Sequence, residues 1–237
     1  MINSILEIGK KKIKVNKKVF HPTGTSKILI EASIKKIKKK NINKKILDIG
    51  CGSGIVGINV AKKLKIKSKI YFSDVSEAAI KNTLYNCKQF KVNSEIRCGD
   101  NLTPWKNDKF DYIISDIAAV AKDISTKSLW YKNCENNSGY DGTKHVIQLI
   151  KDAKKNLYKS GMLIFPIISL SNQKKILYNL KKNFKNYKRI YSQVWPMPKE
   201  LSKNKKLLND LKKQGTIDFD NIMGLLTFKT DIYCAKK

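Results

Sequence analysis

Residues 45–57 read Lys45-Ile46-Leu47-Asp48-Ile49-Gly50-Cys51-Gly52-Ser53-Gly54-Ile55-Val56-Gly57. The apolar run before Gly50 predicts a strand over 45–49. Val56, Val60 and Leu64 fall on one side of a helix over 55–64. Between them, three alternate glycines let the backbone approach a ligand without Cβ clashes. An acid follows twenty residues past Gly54, at Asp74. It ends a second strand over 70–72 that runs into Ser73-Asp74, where a carboxylate can accept from ribose hydroxyls. The string also contains Gly52-x-Gly54-x-x-Gly57, so a dinucleotide site competes. Asp48 separates the two readings: a carboxylate at the loop repels a pyrophosphate and attracts an ammonium group.

Outward from this loop, strand and helix signals alternate at α/β spacing. A helix over 77–87 has Ser76 as N-cap and Ile80, Leu84 and Cys87 on one face. Strands follow over 95–98 and 110–115, then a long connection, 116–142. A helix over 143–157 stops at Gly161, before a buried strand over 162–168. A helix over 172–184 and strands over 187–194 and 225–234 complete the pattern, with a basic helical insert at 199–213. Right-handed crossovers then give a mostly parallel sheet with an antiparallel finish. Upstream, 5–15 and 18–20 read as a short hairpin, and His21-Pro22-Thr23-Gly24-Thr25-Ser26 turns into a helix carrying Ile30, Ile34 and Ile37. We divide the chain into an N-terminal hairpin-and-helix extension, 1–40, and a main domain, 41–237.

The 237 residues include 49 Lys and Arg against 19 Asp and Glu, a formal charge of +30. With 41% hydrophobic residues the chain is no disordered polybasic tail. No apolar run approaches ~18 residues, and the first residues lack a signal-type apolar block. Five cysteines without a Cys-x-x-Cys read as free thiols in a reducing compartment, hence a cytoplasmic protein. Only two of the cations are arginines, Arg97 and Arg189, which argues against base reading. Ile (31) and Asn (21) are also in excess. A/T-rich codons explain all three excesses, and a phosphate-rich partner such as RNA explains the lysines; both explanations stand. The separated His21 and His145 have no metal-site or triad spacing, so no metal is expected.

Asp48-x-Gly50-x-Gly52-x-Gly54 is similar to the signature of class I S-adenosylmethionine-dependent methyltransferases. The resemblance covers about 18–236 and implies a Rossmann-like α/β fold with a seven-stranded sheet and helices on both faces. It implies S-adenosyl-L-methionine over Gly50, Cys51, Gly52 and Gly54, with Asp48 toward the cofactor's ammonium. It also implies Asp74 and Val75 at the ribose, and Asp100 with Asn101 at the adenine. Ser73-Asp74-Val75-Ser76-x-x-Ala79 resembles the second-strand motif of protein-modifying small-domain methyltransferases. Thr23 and Thr25 resemble the segment that caps the methionine end in those relatives. Asp141-Gly142 recurs in the glutamine-amide methyltransferases that act on release factors.

At the fourth strand's end, amide and nucleobase methyltransferases carry Asn/Asp-Pro-Pro-aromatic. Here the residues are Asp116-Ile117-Ala118-Ala119, without the prolines or the stacking ring. They look closer to the Asn-Ile-Leu-Ala of ribosomal-protein methyltransferases, and match neither subgroup throughout. Asp116 is the expected catalytic residue, able to orient an amine or take a proton. Trp130, Tyr131 and Tyr140 are expected to wall the substrate pocket, packing of the loop on itself being the alternative. The resemblance implies methyl transfer to a nitrogen or oxygen, foremost on a protein side chain. A small metabolite or RNA as acceptor, or a non-catalytic cofactor-binding module, are the alternatives.

Overall fold

The structure, a computed structural model, describes residues 6–37, 43–117, 120–132, 134 and 137–237. The 40/41 division and Ala118-Ala119 of the fourth-strand motif lie outside the described residues, as does the chain start.

The central sheet has the order β5-β4-β3-β6-β7-β10-β8. Its strands are β3 (Ile46–Ile49), β4 (Ile70–Asp74), β5 (Ser94–Cys98), β6 (Phe110–Ser115), β7 (Leu157–Ile168), β8 (Asn186–Pro196) and β10 (Leu225–Lys236). Strands β3 to β7 are parallel, and β10 runs antiparallel to both β7 and β8. A short β9 (Asp220–Ile222), absent from the sequence reading, folds back on β10 and makes an eighth strand. The chain order reverses between β4 and β6 on either side of β3. Ligands bind in such folds at the carboxyl ends beside that switch point.

Helices α1 (Gly24–Ile37), α2 (Ile55–Leu64) and α3 (Glu77–Gln89) share one apolar layer with the sheet, where Leu29, Ile37, Ile58 and Phe72 are fully buried. Helices α5 (Lys144–Asn156) and α6 (Gln173–Asn183) cover the other face through Leu149, Ile150, Ile176 and Leu180. The hydrophobic effect thus buries the sheet on both sides, as its continuous apolar strands require. A third cluster sits beyond the sheet's carboxyl edge. There α4 (Lys122–Lys127), α7 (Lys199–Ser202) and α8 (Lys205–Lys213) meet through Ile124, Leu201, Leu208 and Leu211. The predicted single basic helix at 199–213 is therefore two, broken where the Asn204 side chain turns back to donate to the Glu200 carbonyl (2.7 Å).

Three expectations change. Helix α5 ends at Asn156 and β7 begins at once, with Gly161 inside the strand. A Cβ at Gly161 would stand 2.9 Å from the Phe110 carbonyl, so the residue serves close strand approach and not a helix stop. The predicted second hairpin strand at 18–20 is absent. Among the described residues of this segment only Glu7–Ile8 (β1) and Lys11–Lys12 (β2) pair, and residues 13–20 run on as a strap. On α3, Leu84 points to solvent (43% exposed), and the buried face carries Ala79, Asn82, Thr83, Asn86 and Cys87.

The strap explains that polar face. Asn86 accepts from the Lys14 amide (3.0 Å) and donates to the Lys14 and Ser53 carbonyls (2.8 Å each). Asn82 accepts from the Asn16 amide (2.8 Å) and donates to the Lys14 carbonyl (2.9 Å). Two buried carboxamides thus hydrogen-bond a stretch of backbone that belongs to no sheet.

Asp141-Gly142 fastens the long connection. Asp141 accepts from the Thr143 hydroxyl (2.7 Å) and from Lys175 (2.8 Å). Gly142 has φ +72°, and a Cβ there would lie 2.5 Å from the Val120 carbonyl carbon and 2.7 Å from the Ala121 nitrogen. Both obstacles are backbone. Gly142→Ala is therefore expected to cost ~2–5 kcal/mol, from left-handed strain plus overpacking, read as a lowered midpoint in denaturant.

Candidate functional site

Backbone geometry builds the loop after β3. Gly50, Gly52 and Gly54 have φ of +66°, +55° and +77°. The Gly50 and Cys51 amides both donate to the Ser73 carbonyl (2.9 and 3.1 Å), tying the loop to the end of β4. Helix α2 starts at Gly54 without any side-chain cap of its own. Asp48 supplies one from a distance: its Oδ2 accepts the Gly57 amide of the helix's first turn (2.8 Å). That is a favourable place for a carboxylate, at the positive end of the helix dipole.

Asp48 is fully buried beneath the loop, and its Oδ1 has no hydrogen-bond partner. Burial pushes its pKa up to about 8, the Gly57 amide opposing. The structure thus places this acid behind the loop and not in the wall of the cavity the loop borders.

That cavity measures about 610 Å³ at the carboxyl ends of β3, β4 and β6. Gly50, Cys51, Gly52, Asp74, Val75, Asp100, Asn101 and Asp116 all line it, as do Ser26 and Tyr131. Asp74 accepts from the Gly52 amide through Oδ2 (3.0 Å) and from the Ser76 amide through Oδ1 (2.9 Å). Burial raises its pKa, with those amides opposing. Each oxygen keeps a further lone pair for a hydroxyl donor. Val75 follows, 70% exposed, as an apolar platform beside it. Asp100 is exposed, whereas Asn101 is buried at φ +50°. The Asn101 side-chain Nδ2 donates to the His145 carbonyl (3.1 Å), which leaves its Oδ1 buried and unpaired. Cys51 lies against the Thr83 hydroxyl (3.3 Å), and burial holds its thiol neutral.

Asp116 stands across the cavity from Asp74's side of the loop. Ser26 donates to Asp116 Oδ2 at 2.5 Å, and the Ser26 oxygen accepts the Thr23 amide (3.2 Å). A carboxylate only accepts, so the Ser26 hydroxyl gives its one proton to this bond. Burial raises the Asp116 pKa to about 6, and the Ser26 bond works against the rise. Burial and the nearby Asp116 charge push the Tyr131 phenol up as well. Phe20, at the end of the strap, packs on the Tyr131 ring with centroids 5.2 Å apart.

Thr23, Thr25 and Gly54 are absent from the cavity wall. Thr23 starts α1, its carbonyl accepting the Lys27 amide, and the buried Thr25 hydroxyl meets that of Thr230 (3.5 Å). Pro22 and Ser26 line the cavity in their place. Of the loop aromatics only Tyr131 reaches it. Trp130 packs on Phe228 (centroids 5.6 Å), and the exposed Tyr140 hydrogen-bonds Gln214 (2.6 Å). Sequence reading gave Ser26 no role toward Asp116. The Thr23-Gly24-Thr25-Ser26 turn held that signal, since a serine three residues into a helix can bond back to the first residue's amide. Cys134, Phe20 and Val19, which also line the cavity, left no sequence signal. Among the described residues no cluster of His, Cys, Asp or Glu could hold a metal ion, and no helix is long and apolar enough to cross a membrane.

Residues 23–117 match the family model of the methyltransferase small domain. The chain is 30% identical over 184 residues to the release factor glutamine methyltransferase of Borreliella burgdorferi, covering 75% of this chain and 63% of that one. It covers 58% of a second such relative, from Thermodesulfovibrio yellowstonii, so it spans less than two thirds of either. Among solved structures, a ribosomal-protein methylase from Lactobacillus delbrueckii subsp. bulgaricus superposes with TM-score 0.58 at 16% identity, covering 98% of this chain and 90% of that one. A T. thermophilus 16S rRNA methyltransferase, solved with AdoMet and guanosine, superposes with TM-score 0.59 at 10% identity, covering 92% of this chain and 44% of that one. The fold is the class I methyltransferase fold.

Proposed function

We propose that this chain, which carries a methyltransferase small domain in a class I methyltransferase fold, transfers a methyl group from S-adenosyl-L-methionine to a protein side-chain nitrogen. The observation that carries the reading is the convergence of the glycine loop, Asp74 and Asp116 on one cavity of about 610 Å³. One unpaired buried oxygen, Asn101 Oδ1, belongs to a residue of the cavity wall. It suits a ligand that brings an aromatic amine to that end.

The cofactor supplies an electrophilic sulfonium methyl. Asp74 would hold the ribose hydroxyls, Asn101 Oδ1 the adenine amine, and Val75 one face of the ring. Asp48, behind the loop, would act through the backbone it holds, capping α2 at the Gly57 amide beneath the loop that faces the amino-acid moiety. Asp116 Oδ1 accepts from the acceptor nitrogen and takes its proton, while the Ser26 bond keeps the carboxyl oriented. Alignment does most of the rest, ~7–11 kcal/mol where reacting atoms are held in line. The glutamine-modifying relatives favour a side-chain nitrogen. The five free cysteines support a cytoplasmic setting.

Calorimetry of S-adenosyl-L-methionine and its demethylated product tests the site. Asp74→Ala is expected to weaken both by about 10–100-fold, the loss of two charge-assisted hydrogen bonds at ~1.5–3 kcal/mol each, partly replaced by water. Unchanged affinity would remove Asp74 from the site. Labelled cofactor in cell extract then shows whether the methyl enters protein, RNA or small molecules; label in RNA alone would overturn the protein acceptor, and binding without turnover would leave a cofactor-binding module.

A further inference from the structure

Charge is segregated in this fold. Between residues 46 and 142, 14 Lys and Arg stand with 11 Asp and Glu. Between 143 and 198 there are 12 Lys and Arg and one acid, Asp152. Residues 1–45, with 14 Lys and two acids, share the imbalance, and codon bias toward lysine, which acts on the whole chain alike, does not strip acids from particular stretches. Most of the 143–198 stretch shares one surface: α5 and α6 side by side, the start of β7 and, on the edge strand β8, Arg189, while Lys188 turns to the α1 side beside Cys234.

All twelve cations are exposed. Among the described residues only Lys175, with Asp141 (2.8 Å), and Arg189, with Asp231 (3.5 Å), have a carboxylate within ion-pair reach. The side chain of Gln148 donates to Asp152 (2.5 Å). At the far end a small cleft of about 150 Å³ is lined by Lys154, Lys185, Lys236 and Lys237 with Asn183 and Asn186. Tyrosines stand among these lysines. Tyr178 is 67% exposed on α6, with Lys174, Lys175, Lys181 and Lys182 three or four residues away on the same helical face. Tyr158, 42% exposed, stands beside Lys159 where β7 begins.

We propose that the α5–α6–β8 face binds single-stranded RNA, the lysines following its phosphates and Tyr178 stacking on a base. Lysines interleaved with exposed rings suit a strand whose bases are free to stack. The one Arg of the face gives little means of reading base edges, so binding should tolerate sequence. An acidic peptide would use the lysines and leave the rings idle. A membrane surface would want apolar side chains, and those of α5 and α6 are turned into the core. Helix α5 begins beside His145 in the cavity wall, so a bound strand would pass the mouth of the site. The inference stands apart from methyl transfer, and its test needs neither cofactor nor turnover.

Fluorescence anisotropy of the full chain with a labelled oligouridylate is the experiment. Affinity is expected to fall about 100-fold from 50 to 200 mM salt if about five phosphates are neutralised at a slope of ~0.7 each. The triple variant Lys174→Gln, Lys181→Gln, Lys182→Gln should lower that slope by about 2. Tyr178→Ala should weaken binding by about tenfold, and Tyr178→Phe should keep it. The control triple Lys63→Gln, Lys67→Gln, Lys88→Gln, equally exposed on α2, α3 and the loop between α2 and β4, should change affinity by less than about threefold. Equal losses from both triples would overturn the proposal, as would an unaffected Tyr178→Ala or equal affinity for polyglutamate of matched length.

Discussion

Replacing Asp116 with alanine is expected to lower turnover by ~10²–10⁴-fold, the range of a positioned acid or base, and to leave S-adenosyl-L-methionine affinity within a few-fold. The side chain faces the cavity from the end of β6, and among the described residues its one bonded neighbour is the Ser26 hydroxyl. Burial, its largest influence, raises the pKa to about 6, so the group changes charge within the working range. Only the carboxylate can accept a proton. The rate kcat/KM should therefore rise about tenfold per pH unit below 6 and level off above it. Asp116→Asn should flatten that limb. Ser26→Ala removes a bond that favours the charged form and should move the limb to higher pH. A rate kept within tenfold in Asp116→Ala, or a pH limb that survives Asp116→Asn, would assign the proton to another group.

Asn86→Ala is the second large effect. It leaves the Lys14 amide and the Lys14 and Ser53 carbonyls without the side chain that bonds them. Asn82 still reaches the Lys14 carbonyl, so two of the three groups lose their partner. At ~1–3 kcal/mol for each such group left unpaired, the expected loss is about 2–6 kcal/mol in urea unfolding. The strap also carries Val19, which lies over Gly52, and Phe20, which packs on Tyr131. Cofactor affinity should fall with it. Asn86→Asp keeps the acceptor for the Lys14 amide but sets a carboxylate against two carbonyls, and should be no better than alanine. Wild-type stability in Asn86→Ala would mean that water replaces the side chain.

The glycine loop and its flanking elements were legible because their cause is local. Ile55–Leu64 has the bounds that its apolar spacing predicts, and β6 those of its own run. What escaped depends on contacts between distant residues. Nothing local in the sequence singles out Asn82 and Asn86, because the backbone they bind lies some seventy residues earlier. Leu84 fits an apolar stripe by spacing, yet the strap takes the neighbouring face and leaves it in solvent. In the site, Asp74 and Asp116 were readable as acids at strand ends. Asp48 was readable as a residue but not as a cap, because its partner is an amide one helical turn past the loop. Trp130 and Tyr140 resemble pocket aromatics in sequence, and packing on Phe228 and a bond to Gln214 decide otherwise.

The strap makes assembly order matter. Lys14 and Asn16 leave the ribosome well before Asn82 and Asn86 exist to receive them, and Ser26 waits 90 residues for Asp116. Closing loops of that length costs chain entropy that only the finished sheet can offset. The roof of the cavity is thus set after its floor, although it is made first. A fragment trimmed to the recognised domain at residue 23 would keep the glycine loop and lose the roof. The edge that comparison draws and the edge at which the molecule could be cut are different places.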